Sequence, residues 1–274
     1  MQKMHDVMQD DLRRTWAAGR RKWGMATLAV LVIAPFSVKA QASVRIKIAA
    51  ASNLKFVLAD LTSQYKQQTG VQVDVNLGAS GNLARQILQG LPVEQFISAD
   101  EERVAELAQA GLTRDAGQRY ATGRLALIVP KNSALPLAQG LAAVVRALKP
   151  GDKLAMANPA LAPYGMAAEE ALQRSGMGGL AARHKVLGEN IGQTTQFVAT
   201  GAAQAGITAL AMTTAPEIAQ TLQVLPLPAH LHAPLNQRMV LLKQASSAAA
   251  AWHRFLLSPQ AQTVFVRHGY ALPQ

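Results

Sequence analysis

The chain has 274 residues and a formal net charge of +11; half of its residues are hydrophobic and 16% are charged. That apolar content suffices for one large or two medium domains with cores and argues against disorder; with no Gly-X-Y period, no sustained heptads and no internal self-similarity, collagen, coiled coils and repeat arrays are excluded. The absence of cysteine excludes a disulfide framework, thiolate metal sites, a cysteine nucleophile and iron–sulfur clusters.

The charge divides unevenly. Residues 1–40 carry seven basic and three acidic side chains, and the remaining 234 residues carry +7. A moderately basic body suits an anionic ligand or surface. Nucleic acid is not an expected partner: no basic run follows position 40, and aromatic residues are only 5% of the chain.

Arg20-Arg21-Lys22 precedes an uncharged stretch from Trp23 to Phe36, and Val38-Lys39-Ala40-Gln41-Ala42 offers small-x-small sites. A basic start, a short apolar run and small residues predict a secretory signal peptide over residues 1–40, cleaved after Ala40 or Ala42. The run is shorter than the ~20 residues of a membrane span, which disfavours an uncleaved anchor helix. Arg13-Arg14 and Arg20-Arg21 leave twin-arginine export as an alternative route.

Beyond the signal the pattern alternates strand and helix. Val44–Ala51 reads as a buried strand, and Ser52-Asn53 as the start of a helix whose apolar face is Leu54, Val57, Leu58, Leu61 and Tyr65, stopped by Gly70. Val71, Val73, Val75 and Leu77 alternate as a second strand. Gly78-Ala79-Ser80-Gly81-Asn82 then turns into a helix bearing Leu83, Ile87 and Leu88. Phe96–Ala99 is a short strand, and Asp100 caps a helix ending at Gly111. Further strands are expected at Leu125–Val129, Leu154–Ala157, Ala205–Leu210, Val224–Pro228 and Met239–Leu242. Helices are expected at Leu141–Leu148, Ala167–Ser175, after Asn190-Ile191-Gly192, at Ala248–Leu257 and at Pro259–Val266. Such alternation with short loops predicts parallel sheets wrapped by helices. With crossings near residues 120–128 and 223–234, it predicts an α/β protein of two parallel-sheet lobes around a cleft. Residues 41–124 and 231–274 form lobe 1, and 125–230 form lobe 2.

Three strands lead into helix starts rich in small or polar residues: Ser52-Asn53, Ser80-Gly81-Asn82 and Ile191-Gly192-Gln193. Unpaired N–H groups and the positive dipole end make such starts anion sites when several converge. In open α/β sheets they lie at the crevice beyond the strands' carboxyl ends. Ordinary helix capping is the competing explanation for each serine. Enzyme motifs are weaker. Gly78-Ala79-Ser80-Gly81 lacks the final glycine of a nucleophile elbow, so a hydrolase using Ser80 is the poorer alternative. No phosphate-binding glycine loop or His-Glu-x-x-His occurs, and His230-Leu231-His232 lacks an evident third metal ligand.

Five motifs occur in order: Ala49-Ala50-Ala51-Ser52-Asn53-Leu54, Gly78-Ala79-Ser80-Gly81-Asn82-Leu83, Phe96-Ile97-Ser98-Ala99-Asp100, Asn158-Pro159 with Ala162-Pro163-Tyr164-Gly165, and Gly188-Glu189-Asn190-Ile191. Together they resemble the periplasmic molybdate-binding proteins of ABC transporters, over about residues 44–272. The resemblance implies a two-lobed (type II) periplasmic binding protein fold and a monomer. It implies a non-enzymatic protein without a cofactor that holds molybdate, and tungstate, through neutral donors and delivers it to a membrane permease. Sulfate or phosphate is the alternative ligand. Carried over by motif, the ligand-binding residues are Ser52, Asn53, Ser80, Tyr164 in a Pro-Tyr-Gly turn, and Ile191 through its backbone N–H, with no direct protein ligand to molybdenum. Ser98, in the neighbouring strand, is expected to be neutral. The sequence departs from the family pattern at Val93-Glu94-Gln95 and at Thr195, which bears on cavity shape.

Overall fold

The computed structural model describes residues 44–273; the predicted signal peptide lies outside them. Among these described residues, ten strands form two five-stranded sheets. The first contains β1 (Arg45–Ala51), β2 (Gln72–Gly78), β3 (Gln95–Ile97), β4 (Gln118–Gly123) and β10 (Leu235–Leu241), in the order β2-β1-β3-β10-β4. The second contains β5 (Leu125–Pro130), β6 (Leu154–Ala157), β7 (Lys185–Gly188), β8 (Ala205–Ala209) and β9 (Leu222–Pro226), in the order β7-β6-β8-β5-β9. The helices are α1 (Lys55–Thr69), α2 (Ser80–Leu88), α3 (Glu102–Gln109), α4 (Leu141–Ala147), α5 (Pro163–Arg174), α6 (Gly178–Ala181), α7 (Ile191–Ala199), α8 (Pro216–Ala219), α9 (Ser247–Leu256) and α10 (Pro259–Arg267).

The sheets are mixed, which corrects the expectation of purely parallel lobes. β10 runs antiparallel to β3 and β4, and β5 runs antiparallel to β8 and β9. In each sheet the reversed strand is the one that arrives from the other sheet. Only Arg124 separates β4 from β5, and β9 leads to β10 through residues 227–234. A chain that enters a sheet directly from its neighbour, without a crossover helix, is free to run antiparallel.

Local sequence explains the elements. In β1, Ile46 and Ile48 are buried while Arg45 and Lys47 face solvent, and Ala49–Ala51 are buried throughout. Alanines let helices approach both faces of a central strand. Helix α1 ends at Gly70, whose φ of 73° and N–H bond to Lys66 O (2.9 Å) form a left-handed cap. Ser246 and Ser258 cap α9 and α10 by accepting from Ala249 and Ala261 N–H, each at 3.2 Å. Trp252 of α9 packs edge-on against Tyr65 of α1, ring centroids 5.0 Å apart. The expected helix at Ala167 begins instead at Pro163, because proline suits a first helical position. Strands β4 and β7 have no counterpart among the predicted elements. β7 is a half-exposed edge strand of four residues, and it shows neither the alternation of β1 nor the continuous buried run of β5.

Around β4, Glu101 ties three segments together. It takes Arg119 on two bonds (2.9 and 2.7 Å) and Arg238 Nε at 3.0 Å. The Arg119 hydrogen bonds, reinforced by Arg238, lower its carboxyl to about 2, against some opposition from burial. A carboxyl lowered on folding contributes stability in full above its unfolded value near 4.5 and loses it as pH falls through about 2. Glu101→Gln therefore unfolds more easily at neutral pH, and its melting midpoint falls less between pH 4.5 and 2 than the parent's. Equal acid sensitivity of parent and variant in a pH series of melting curves contradicts this assignment.

Candidate functional site

The predicted helix starts converge. Ser52–Leu54, a 3₁₀ turn directly after β1, packs against α7 of the second sheet, and so does the turn Leu210–Thr213 after β8. Ser52, Asn53, Ser80, Tyr164 and Ile191 are all buried. Each follows the carboxyl end of a strand: β1, β2, β6 or β7. Helix α2 meets the segment before α5, where Gly81 N–H donates to Leu161 O at 3.0 Å. Asn82 Nδ2 and Glu189 Oε1 approach to 3.5 Å beside it.

The serines do not cap their helices. The residues before the 3₁₀ turn, α2 and α5 are Ala51, Ala79 and Ala162, whose side chains make no cap bond. Ser80 lies inside α2, and its Oγ accepts from Ala99 N–H at 3.0 Å. That contact fixes the oxygen and leaves the hydroxyl proton available. Helix α7 is the exception. Asn190 Oδ1 accepts from Gly192 and Gln193 N–H at 2.9 and 3.1 Å, so the N–H of Ile191 has no acceptor among the described residues. Tyr164 sits in the first turn of α5 rather than in a free turn.

Behind these starts runs a buried polar network that the sequence reading did not single out. Tyr270 OH donates to Asn53 O (2.9 Å) and accepts from Asn53 Nδ2 (2.9 Å). Asn53 Nδ2 also donates to Gln237 Oε1 at 3.0 Å, and Gln237 Nε2 donates to Tyr164 OH at 2.9 Å. Tyr120 OH lies 2.7 Å from Gln237 Oε1 and 2.9 Å from Ser98 O. Gly123, the last residue of β4, leaves room for this network: a Cβ there would collide with the Tyr164 hydroxyl and come within 2.6 Å of Gln237 Nε2. A signal for Gln237 was present, since β10 alternates and puts a polar side chain at an inward position. Burial pushes the phenols of Tyr164, Tyr120 and Tyr270 above their ordinary value; the Gln237 and Asn53 amides partly offset this at Tyr164. All three stay protonated, and so able to donate, at neutral pH.

Beside the site lies a cavity of about 260 Å³ between Ala99–Glu102, Asn236 and the α5 residues Pro163, Met166 and Glu170. Asp100, Glu101, Glu102 and Glu170 line it, so Coulomb repulsion disfavours an anion there and leaves the helix starts as the anion-friendly region. Burial raises the Asp100 carboxyl, opposed chiefly by the Arg103 N–H bond.

The remaining candidates take structural places. Ser98 Oγ donates to Asp100 Oδ1 at 3.0 Å. Glu94 accepts from Ser246 N–H at 2.8 Å, and Gln95 Nε2 pairs with His253 Nδ1 at 2.9 Å, so this departure from the family pattern anchors α9. Thr195 donates to Ile191 O at 2.9 Å and meets Thr208 Oγ1 at 2.6 Å, bracing the turn that carries Ile191. His232 Nδ1 lies 2.7 Å from Ala233 O, and no group of three metal-ligating side chains occurs among the described residues.

Comparison with known proteins agrees with this architecture. The family model of the bacterial extracellular solute-binding proteins matches residues 46–271. The molybdate-binding protein ModA of Azotobacter vinelandii is 32% identical over 254 residues, covering 91% of this chain and 99% of that protein. ModA of Rhodobacter capsulatus is 32% identical over 226 residues, covering 81% and 86%. The solved periplasmic molybdate-binding protein of Azotobacter vinelandii superposes with a TM-score of 0.76 at 29% identity, covering 84% of this chain and 100% of that one. Two mixed five-stranded sheets with helix starts meeting between them are thus the two-lobed periplasmic binding protein fold, and the chain belongs to the bacterial extracellular solute-binding proteins, in the ModA family.

Proposed function

We propose that this protein captures molybdate, and tungstate with it, in the periplasm and delivers it as a monomer to the membrane permease of an ABC transporter. It is a solute-binding protein and not an enzyme. The observation that carries the ligand reading is the meeting of uncapped helix starts from both sheets, in a chain whose relatives bear the name molybdate-binding protein. In this reading Ser52, Asn53 and Ser80 hold the dianion from lobe 1 (residues 41–124 and 231–274). Tyr164 and the Ile191 N–H hold it from lobe 2 (residues 125–230). Residues 1–40 are the export signal. Neutral donors suit the task because they are held in place by helices and carry less desolvation cost than buried cations. Sulfate and phosphate are also tetrahedral oxyanions, so donors drawn from two lobes select by size.

Titration calorimetry with molybdate, tungstate, sulfate and phosphate tests the ligand. Ser80→Ala and Tyr164→Phe test the donors. Each removes one hydrogen bond to a charged group, about 1.5–3 kcal/mol or roughly 10–150-fold in affinity. Parent-like molybdate binding by both variants removes these residues from the site; a parent that binds sulfate or phosphate but not molybdate overturns the ligand.

A further inference from the structure

The hydrogen-bond directions behind the site follow from which atoms can donate. Asn53 O is a carbonyl and can only accept, so the Tyr270 proton lies on the 2.9 Å contact between them. Tyr270 oxygen is then an acceptor, and the Asn53 atom 2.9 Å from it must be the amide nitrogen. That nitrogen turns its second proton to Gln237, 3.0 Å away, so Gln237 presents its carbonyl to Asn53. The Gln237 amide nitrogen is left facing Tyr164 OH at 2.9 Å. Tyr164 oxygen accepts there, and its own proton is free to point elsewhere. With the Gln237 amide reversed, its carbonyl would take the Tyr164 proton, and two amide nitrogens would face each other at Asn53. In this arrangement Tyr120, with one proton for two acceptors, gives it to Gln237 Oε1 at 2.7 Å, the shorter contact, rather than to Ser98 O at 2.9 Å.

We infer that Gln237 is a positioning residue for oxyanion binding: by donating to the Tyr164 oxygen it reserves the phenol proton for the ligand. The inference rests on the reading of Tyr164 as a ligand donor. Gln237 is fully buried on β10, the strand that enters the first sheet from the second, and it joins Asn53 of one lobe to Tyr164 of the other. Asn53 gains a matching role. Its side-chain nitrogen is committed to Tyr270 and Gln237, so its contribution to the anion comes from its backbone N–H.

A double-mutant cycle on molybdate affinity tests this. Tyr164→Phe alone must weaken binding roughly 10–150-fold; if it does not, the donor reading fails whatever Gln237 does. Given that loss, Gln237→Met should weaken binding by about tenfold in the parent and by less than about twofold in the Y164F background. Equal losses in both backgrounds overturn the positioning role. Gln237→Glu keeps the shape and adds a pH readout. When ionised, the carboxylate can only accept and takes the Tyr164 proton; when protonated, it can donate to Tyr164 again. Affinity of Q237E should therefore recover on acidification from pH 8 to 5.5, by about tenfold, while the parent changes little over the same range. The recovery should be absent from Q237E/Y164F. Recovery of the same size without the phenol reports only relief of charge repulsion and overturns the inference, even if Q237M proves unable to fold.

Discussion

Molybdate at a hundredfold excess over its dissociation constant should raise the melting midpoint by about 5–11 °C. A ligand that binds only the folded protein stabilises it by mass action, here by about 2.7 kcal/mol. For a body of this size each kcal/mol moves the midpoint by roughly 2–4 °C. Sulfate at the same concentration should do much less, because a smaller dianion cannot reach donors from both lobes together. The structural motive is the division of the helix starts: Ser52, Asn53 and Ser80 follow strands of the first sheet, Tyr164 and Ile191 strands of the second. A midpoint that ignores molybdate but rises with sulfate or phosphate would move the assignment to another oxyanion. Indifference to all of them would count against an anion site altogether.

Gly123→Ala should lower molybdate affinity by at least about tenfold, although Gly123 is not one of the proposed donors. Its missing side chain is where the Tyr164 hydroxyl sits, beside Gln237 Nε2. An added methyl group must displace that hydroxyl, and losing one charge-assisted hydrogen bond accounts for the tenfold. Overpacking a buried site also costs about 1–3 kcal/mol, so the unliganded midpoint should drop as well. Calorimetry and a melting curve read the two effects separately. Parent-like values in both would mean that the hydroxyl has room to move, and that the close fit of Gly123, Tyr164 and Gln237 has no part in binding.

Much of this was legible in the chain. The alternation of Ile46 and Ile48 with Arg45 and Lys47 marks β1 because a half-buried strand has a period of two. Gly70 and Ser258 mark helix ends because a left-handed residue and a side-chain acceptor satisfy groups that a helix leaves open. The candidate donors were legible as motifs, and they stand at the carboxyl ends of strands, as short strand-to-helix turns require. The direction of β5 and β10 was not legible: strand patterns are the same in either sense, and only pairing partners fix it. The role of Ser80 was ambiguous for a related reason. A serine near a helix start reads as a cap until the structure shows Ala79 in the cap position and Ala99 N–H on the serine oxygen.

By itself, then, the sequence determined the number and kind of most elements, the family, and which residues to propose as anion donors, because these rest on local spacing and on motifs a few residues long. Tertiary structure alone decided that Asn53, Tyr120, Tyr164, Gln237 and Tyr270 form one buried network, and that Gly123 must stay small beside it. Contacts such as Asn53 with Gln237 and with Tyr270 span 184 and 217 residues. Hydrogen-bond partners are chosen by proximity in space, and that proximity exists only after both sheets have formed and the crossing strands have brought them together.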